Sequence, residues 1–218
     1  MTSLLGKEIE DLKKTLLDMM EVVDSMLEKS IGLIRDPSDS KSRIAEIKKM
    51  DDDVDSKEVD LDGKCVRLLS LYAPEAEMLR TTIAVMKINN DVERIGDHAV
   101  NVARLVGKSS DFPPLAILNE AAEMGEKALE MFRMSVDAFI NKREDLTLEV
   151  SKKDAEVDMM EKEIVEGTLR HAEMAPEATP AATCAIVIAR NLERAADLST
   201  NIAEDTHYLI TGNVIKHS

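Results

Sequence analysis

Tryptophan is absent from the 218 residues and aromatic side chains make up only 2 % of them. Runs of β-branched residues are equally scarce, so a sheet is not expected. Positive charge is short as well: 28 Lys and Arg stand against 43 Asp and Glu, a net charge of −15 with a pI near 4.7. Nucleic acid and anionic lipid both need a cationic face, so neither is expected as a partner, whereas cations are well matched. Most of these carboxylates need no role beyond solvation. Only two cysteines occur, Cys65 and Cys184. They lie apart and outside CxxC spacing, which reads as reduced, buried thiols in a cytoplasmic protein, neither disulfide nor zinc knuckle. Charge interrupts the apolar positions between Met1 and Leu17, so no signal peptide and no direct membrane span are expected. A nucleophile elbow, a Gly-rich phosphate loop, a zinc-protease helix and a Ser/His/Asp arrangement are all missing, and the chain is not expected to be an enzyme.

What is plentiful is helix-forming: Ala, Leu, Glu, Lys and 13 Met. The methionines suit a core filled by flexible thioethers. Apolar periodicity predicts six helices, over about Ser3–Ile34, Ser38–Leu71, Glu75–Val106, Leu115–Ile140, Glu144–Ala172 and Glu177–Thr211. Asp36-Pro37, Ala73-Pro74-Glu75, Pro176 and Gly212 punctuate them. The breaker-rich segment from Gly107 to Pro114 divides the chain near its midpoint. The expected division is a first three-helix repeat over about residues 1–107, a linker over about 108–114 and a second repeat over about 115–218.

The two halves repeat. Asp51, Val54, Asp55 and Glu58 return as Asp154, Val157, Asp158 and Glu161, on the middle helix of each half. Ala73-Pro74-Glu75-Ala76 returns as Ala175-Pro176-Glu177-Ala178. On the third helix, Glu93, Arg94, Asp97 and Asn101 return as Glu193, Arg194, Asp197 and Asn201. The fold class is therefore all-α, two tandem three-helix bundles packed side by side.

At about 100° per residue, a Glu and an Asp four apart project from one helix face. Ile88, Val92, Ile95, Ala99, Val102 and Val106 mark a separate apolar stripe, so Glu93 and Asp97 are expected to turn outward, nearly opposite it. Glu193 and Asp197 should do the same. Asp51, Asp55, Glu58 and Asp62 fall beside the apolar seam of the second helix, where core meets solvent. A Glu/Asp pair on the third helix can then face a second acidic pair across a helix seam. Such an oxygen-rich cluster suits hard cations, and more than one of them if its charge is to be balanced. Arg94 and Arg194 offer the competing reading, in which bidentate ion pairs hold the bundle without metal.

His98 has Leu198 in its place in the second half, and reads as a lone surface or partner-facing side chain. Glu204 and His207 have the Glu-x-x-His spacing of ferritin-like di-iron bundles, but the first half offers no second such motif.

Leu68 to Arg80, with Leu71-Tyr72-Ala73-Pro74-Glu75-Ala76, then Asp91-Val92-Glu93-Arg94-Ile95-Gly96-Asp97-His98, and later Leu192-Glu193-Arg194-Ala195-Ala196-Asp197 and Tyr208-Leu209-Ile210-Thr211-Gly212-Asn213, closely resemble the PhoU family. The likeness runs along essentially the whole chain, twice. It implies two three-helix bundles and a regulator that restrains phosphate import and phosphate-starvation signalling when phosphate is plentiful. The implied partners are the ATPase of a phosphate ABC transporter and a phosphate-sensing membrane histidine kinase, and a homodimer is favoured. It also implies a multinuclear iron or zinc cluster, other hard divalent cations being possible, at Glu93 and Asp97 and at Glu193 and Asp197. Asp55, Glu58, Asp158 and Glu161 match the acidic positions of the facing helices. The second copy departs from the pattern at Ala196 and Leu198, where Gly and His are lost, so its site is expected to differ in occupancy or metal. The rival readings are a ferritin-like metal store or oxidase and a purely structural helical adaptor without metal.

Overall fold

Helices account for every extended element of the computed structural model, which describes residues 4–109, 111–112 and 115–214. They are α1 (Leu4–Arg35), α2 (Ser40–Tyr72), α3 (Ala76–Ser109), α4 (Ile117–Asn141), α5 (Glu144–Met174) and α6 (Thr179–Thr211), with a 3₁₀ turn at Pro176–Ala178. The third helix runs past its expected end, through Gly107 to Ser109. Ser3 at the start of the first expected helix, Ser110, Pro113 and Pro114 of the expected linker, and His217 lie outside the described residues.

The stops have local causes. The turn between α1 and α2 opens the second helix at Asp39, which is left-handed (φ 50°) and whose carbonyl accepts from the Ser42 and Arg43 amides. Gly212 (φ 75°) closes α6, its amide donating to Tyr208 O at 2.8 Å, in the conformation glycine adopts without a Cβ penalty. The repeated Ala-Pro-Glu-Ala tetrapeptide folds in two ways. Ala73 and Ala76 are both left-handed (φ 42° and 51°), whereas Ala175 has a negative φ (−133°, with ψ 80°) and Pro176–Ala178 makes the 3₁₀ turn.

Each half packs its three helices on one another, and the halves join through α3 against α6 and α1 against α4. The Lys87–Asp205 ion pair and the His98–Asn191 hydrogen bond show that α3 and α6 run antiparallel. The four helices α1, α3, α6 and α4 thus form the middle, with α2 and α5 on its two flanks. Among the described residues, α2 touches only α1 and α3, and α5 touches no helix beyond α4, α6 and the 3₁₀ turn.

One apolar core runs through both halves. Leu16, Met19, Met26, Ile88 and Ile95 of the first join Met124, Phe132, Ile188 and Leu192 of the second, all at 1 % exposure or less. Met20 and Met131 are buried with them, as expected of thioether gap-fillers. At Gly125 α4 meets both α1 and α6, and a Cβ there would lie 2.9 Å from Ile31 Cγ1 and 3.3 Å from Leu192 Cδ2. The flanking helices bury much less. In α2 the buried residues are Ile47, Val54, Leu61, Cys65 and Leu68, and in α5 Thr147, Val150, Val157, Ile164 and Thr168. Spacings of seven dominate both sets, the narrow stripe of a helix fastened along one edge. Cys65 and Cys184 are free and buried, and burial pushes the Cys65 thiol up to about 12.

Candidate metal centre at two acid seams

The stripe that buries Val54 on α2 places Asp51, Asp55 and Glu58 beside it, facing Glu93 and Asp97 of α3. Glu93 is half-buried rather than turned out to solvent, because α2 lies along that flank of α3. Asp97, one turn on, is exposed. Burial pushes the Glu93 carboxyl up to about 7, helped in order by the charges of Asp97, Asp55, Glu58 and Asp51. Asp51 rises to about 6, from burial first and then from Asp55 and Asp97, with Arg104 opposing. The four acids expected here therefore share one electrostatic neighbourhood, and Asp51 is a fifth member. Buried Asn89 fixes the register of the seam by donating to Glu58 O at 3.0 Å.

The second seam, between α5 and α6, repeats this. Glu193 is half-buried and pushed up to about 7, by burial and Asp197, with Arg194 opposing and Asp158 and Glu161 adding. Asp197 is also raised, chiefly by burial. Here Asp154, Asp158 and Asp197 each present a carboxylate oxygen, the three lying within 4.8 Å of one another. Among the described residues, no other group of acids, histidines and cysteines converges so closely. Thr200 donates to Asp154 Oδ1 at 3.3 Å and orients it.

Hard cations take carboxylate oxygens at about 2–2.6 Å, so three oxygens this close can converge on one ion with little movement. The carboxyls in both seams are raised first by burial and then by the other acids beside them, with Arg194 opposing in the second. The donor set fits a hard cation. Asp51 and Asp154, which open the repeated Asp-x-x-Val-Asp-x-x-Glu pattern, join the acids expected at each seam. Their place one turn before Asp55 and Asp158 was the available signal.

The arginines differ between the seams. Arg94 Nη1 reaches Asp91 Oδ1 at 3.7 Å, and no ion pair joins it to Glu93 or Asp97. Arg194 instead approaches Asp197 at 3.2 Å and Glu193 at 3.6 Å, and Arg190 approaches Glu161 at 3.8 Å. The Arg194 contacts lie within α6, and only Arg190–Glu161 crosses to α5, so no bidentate pair clamps the second seam. The arginines' difference goes with the residue three places upstream, where Asp91 is matched by Asn191, which offers Arg194 no carboxylate.

The histidines differ from expectation. His98 is not a lone surface group: its Nδ1 lies 2.9 Å from Asn191 Oδ1, a bond between the halves. His207 is 6 % exposed and its Nδ1 lies 3.2 Å from Thr147 Oγ1, against α5. Glu204 lines a separate groove between α3 and α6 with Lys87, Asn90, Asp91 and Asp205. The Glu-x-x-His pair therefore does not converge as a di-iron motif does.

Two tandem three-helix halves, each with a carboxylate seam between its second and third helices, define the class: a duplicated all-α protein with paired acid-lined seams. The PhoU domain pattern matches it twice, over residues 16–106 and 121–206. The chain belongs to the PhoU family. It is similar to a phosphate-specific transport system accessory protein PhoU homolog of Clostridium acetobutylicum, 30 % identical over 209 residues that cover 95 % of this chain and 94 % of that one. The corresponding homolog of Aquifex aeolicus is 32 % identical over 213 residues, 98 % and 96 % of the two chains. In fold it matches the crystal structure of PhoU from Pseudomonas aeruginosa with a TM-score of 0.91 at 30 % identity, covering 95 % of this chain and 99 % of that one. None of the helices, among the described residues, is long and apolar enough to cross a membrane.

Proposed function

We propose that the protein is an accessory regulator of phosphate uptake and phosphate-starvation signalling that restrains a phosphate ABC transporter and a phosphate-sensing histidine kinase when phosphate is plentiful. In this reading it is a homodimer in the cytoplasm, meets the transporter through its ATPase, and holds iron or zinc in its acid seams. The observation that carries the metal reading is the duplicated seam: equivalent glutamates, Glu93 and Glu193, are both pushed up to about 7 by burial among other acids. The names borne by the Clostridium acetobutylicum and Aquifex aeolicus relatives support the phosphate reading.

In the second seam Asp154, Asp158 and Asp197 would hold the ion, with Glu193 and Glu161 beside them. In the first, Glu93, Asp97, Asp55, Glu58 and Asp51 would do so. A bound cation neutralises the cluster and ties a flanking helix to the middle of the molecule. The protein's own residues do the rest: Asn89 fixes the backbone of Glu58, Thr200 orients Asp154, and Arg194 competes for Asp197.

Metal analysis of the untagged protein tests the site. Iron or zinc should copurify, fall in a Glu93→Ala, Asp97→Ala variant, and fall again when Asp158→Ala and Asp197→Ala are added. Equal metal content in all three would sink the metal reading. Recovery of the transporter ATPase or the sensor kinase on the protein from phosphate-replete cells tests the regulatory reading, and recovery of neither overturns it.

A further inference from the structure

Few buried polar side-chain atoms in a folded chain go without a hydrogen-bond partner, and each that does needs a physical reason. Among the described residues there are three: Arg80 Nε, Thr206 Oγ1 and Asn89 Oδ1. Asn89 stands on the same face of α3 as Glu93 and Asp97, one and two turns before them. It is 1 % exposed. Its Nδ2 crosses the first seam to donate to Glu58 O on α2 at 3.0 Å. That carbonyl can only accept, so turning the amide over would set oxygen against oxygen. Oδ1 hangs on the same amide carbon and therefore lies in the seam as well, buried and without a donor among the described residues.

Packing alone does not account for such an atom, because a buried acceptor left unpaired destabilises the folded chain. The second half shows that the place can be filled otherwise. Ala189 holds the corresponding position on α6, fully buried. The polar addition in that seam comes at the other end, where Thr200 donates to Asp154 beside Asp158 and Asp197. Val100 takes the place of Thr200 in the first half. Each seam thus owns one neutral polar side chain that its copy lacks, and the two lie at opposite ends of the row of acids.

An amide oxygen beside carboxylates suits a hard cation, since asparagine carbonyls and carboxylates bind such ions together. Being neutral, it adds a bond without adding to the repulsion among Asp51, Asp55, Glu58, Glu93 and Asp97. We propose that Asn89 Oδ1 is a direct ligand of the cation in the first seam, gripped at the Glu58–Glu93 end, whereas the second seam grips its ion at the Asp154–Asp158–Asp197 end. The proposal rests on the metal reading of the seams and adds to it a ligand that only one half owns.

The test uses the full chain with the second seam crippled by Asp158→Ala and Asp197→Ala, stripped of metal and titrated calorimetrically with Zn²⁺ and, without oxygen, with Fe²⁺. Asn89→Ala, which installs the residue that the second half uses, should weaken binding at the first seam at least tenfold. Asn89→Asp keeps an oxygen in place and loses the donor to Glu58 O, so it should bind at least as tightly as its parent. A merely structural Asn89 would make the two substitutions equally damaging. Circular dichroism checks that each variant is folded. A second measurement needs no substitution: with carbon-13 in the asparagine side-chain amides of the native chain, metal should lower one carbonyl stretch in infrared difference spectra, as coordination polarises the carbonyl. That band should be missing from Asn89→Asp. A loss under tenfold for Asn89→Ala, equal weakening by both substitutions, or no lowered amide band with metal bound would each overturn the proposal while the metal reading stands. Failure of the native chain to bind either metal would overturn both.

Discussion

Arg94 and Arg194 hold the same place in the repeat and serve different acids. In the first half the guanidinium is drawn toward Asp91, leaving Glu93 and Asp97 to one another. In the second, Asn191 stands where Asp91 would be, and the guanidinium turns into the seam against Asp197 and Glu193. The difference shows that copying a set of acids does not copy their ion pairing. The residue three places before the arginine, Asp91 or Asn191, goes with whether the guanidinium turns away from the seam or into it. Of the two residues that the second copy loses, the first half's His98 is hydrogen-bonded to Asn191 across the halves.

The broadest way to break this comparison is by pH, because both seams should respond alike. Glu93 and Glu193 titrate near 7 in the folded chain and return to the ordinary carboxylate range, about 4.3, on unfolding. The folded state binds these protons more tightly, so the stability they confer is present below about pH 4.3 and is lost as pH rises through about 7. Metal-free protein should therefore melt several degrees higher near pH 5.5 than near pH 8. Glu93→Gln with Glu193→Gln should flatten that slope in calorimetric scans, and an unchanged slope would show that the seams are not its source.

Arginine provides the sharper cut. Arg194→Gln, or Asn191→Asp to draw the guanidinium away, should raise cation affinity at the second seam by about tenfold, roughly 1.4 kcal/mol. Arg94→Gln should leave the first seam nearly unchanged. Titration calorimetry would show whether the two substitutions differ. Next comes His98→Ala, which removes the bond to Asn191 between the halves and should cost about 0.5–1.5 kcal/mol in denaturant unfolding. The smallest effect is at Gly96. A Cβ there would sit 3.4 Å from Met26 Cε, 3.6 Å from Val23 and 3.7 Å from Val54, which is ordinary contact. Gly96→Ala should then stabilise by about 0.5–1 kcal/mol through helix propensity. The alanine already present at position 196 agrees with that sign.

Periodicity made the helices and their buried faces legible, because apolar spacing dictates which side of a helix leaves water. Glu93, Asp97, Asp55 and Glu58 could be grouped for the same reason. What could not be read is anything set by contact between distant segments. Half-burial of Glu93 depends on α2 lying along its flank, and the partners of Arg94 and His98 depend on α3 meeting α6. Ala73-Pro74-Glu75-Ala76 and its copy show the limit locally as well. Identical residues take different backbones, since the surrounding chain rather than the tetrapeptide selects the turn. Asp51 and Asp154 are visible in the repeat itself, one turn before Asp55 and Asp158.

The narrow attachment of α2 and α5 has a dynamic consequence. A helix anchored by Ile47, Val54, Leu61 and Leu68 can peel from its neighbours while the continuous core beneath stays closed. Its amides should exchange with deuterium sooner than those of α3 or α6. An ion stitched across the seam would slow that breathing, making cation occupancy a brake on the outermost layer of the molecule.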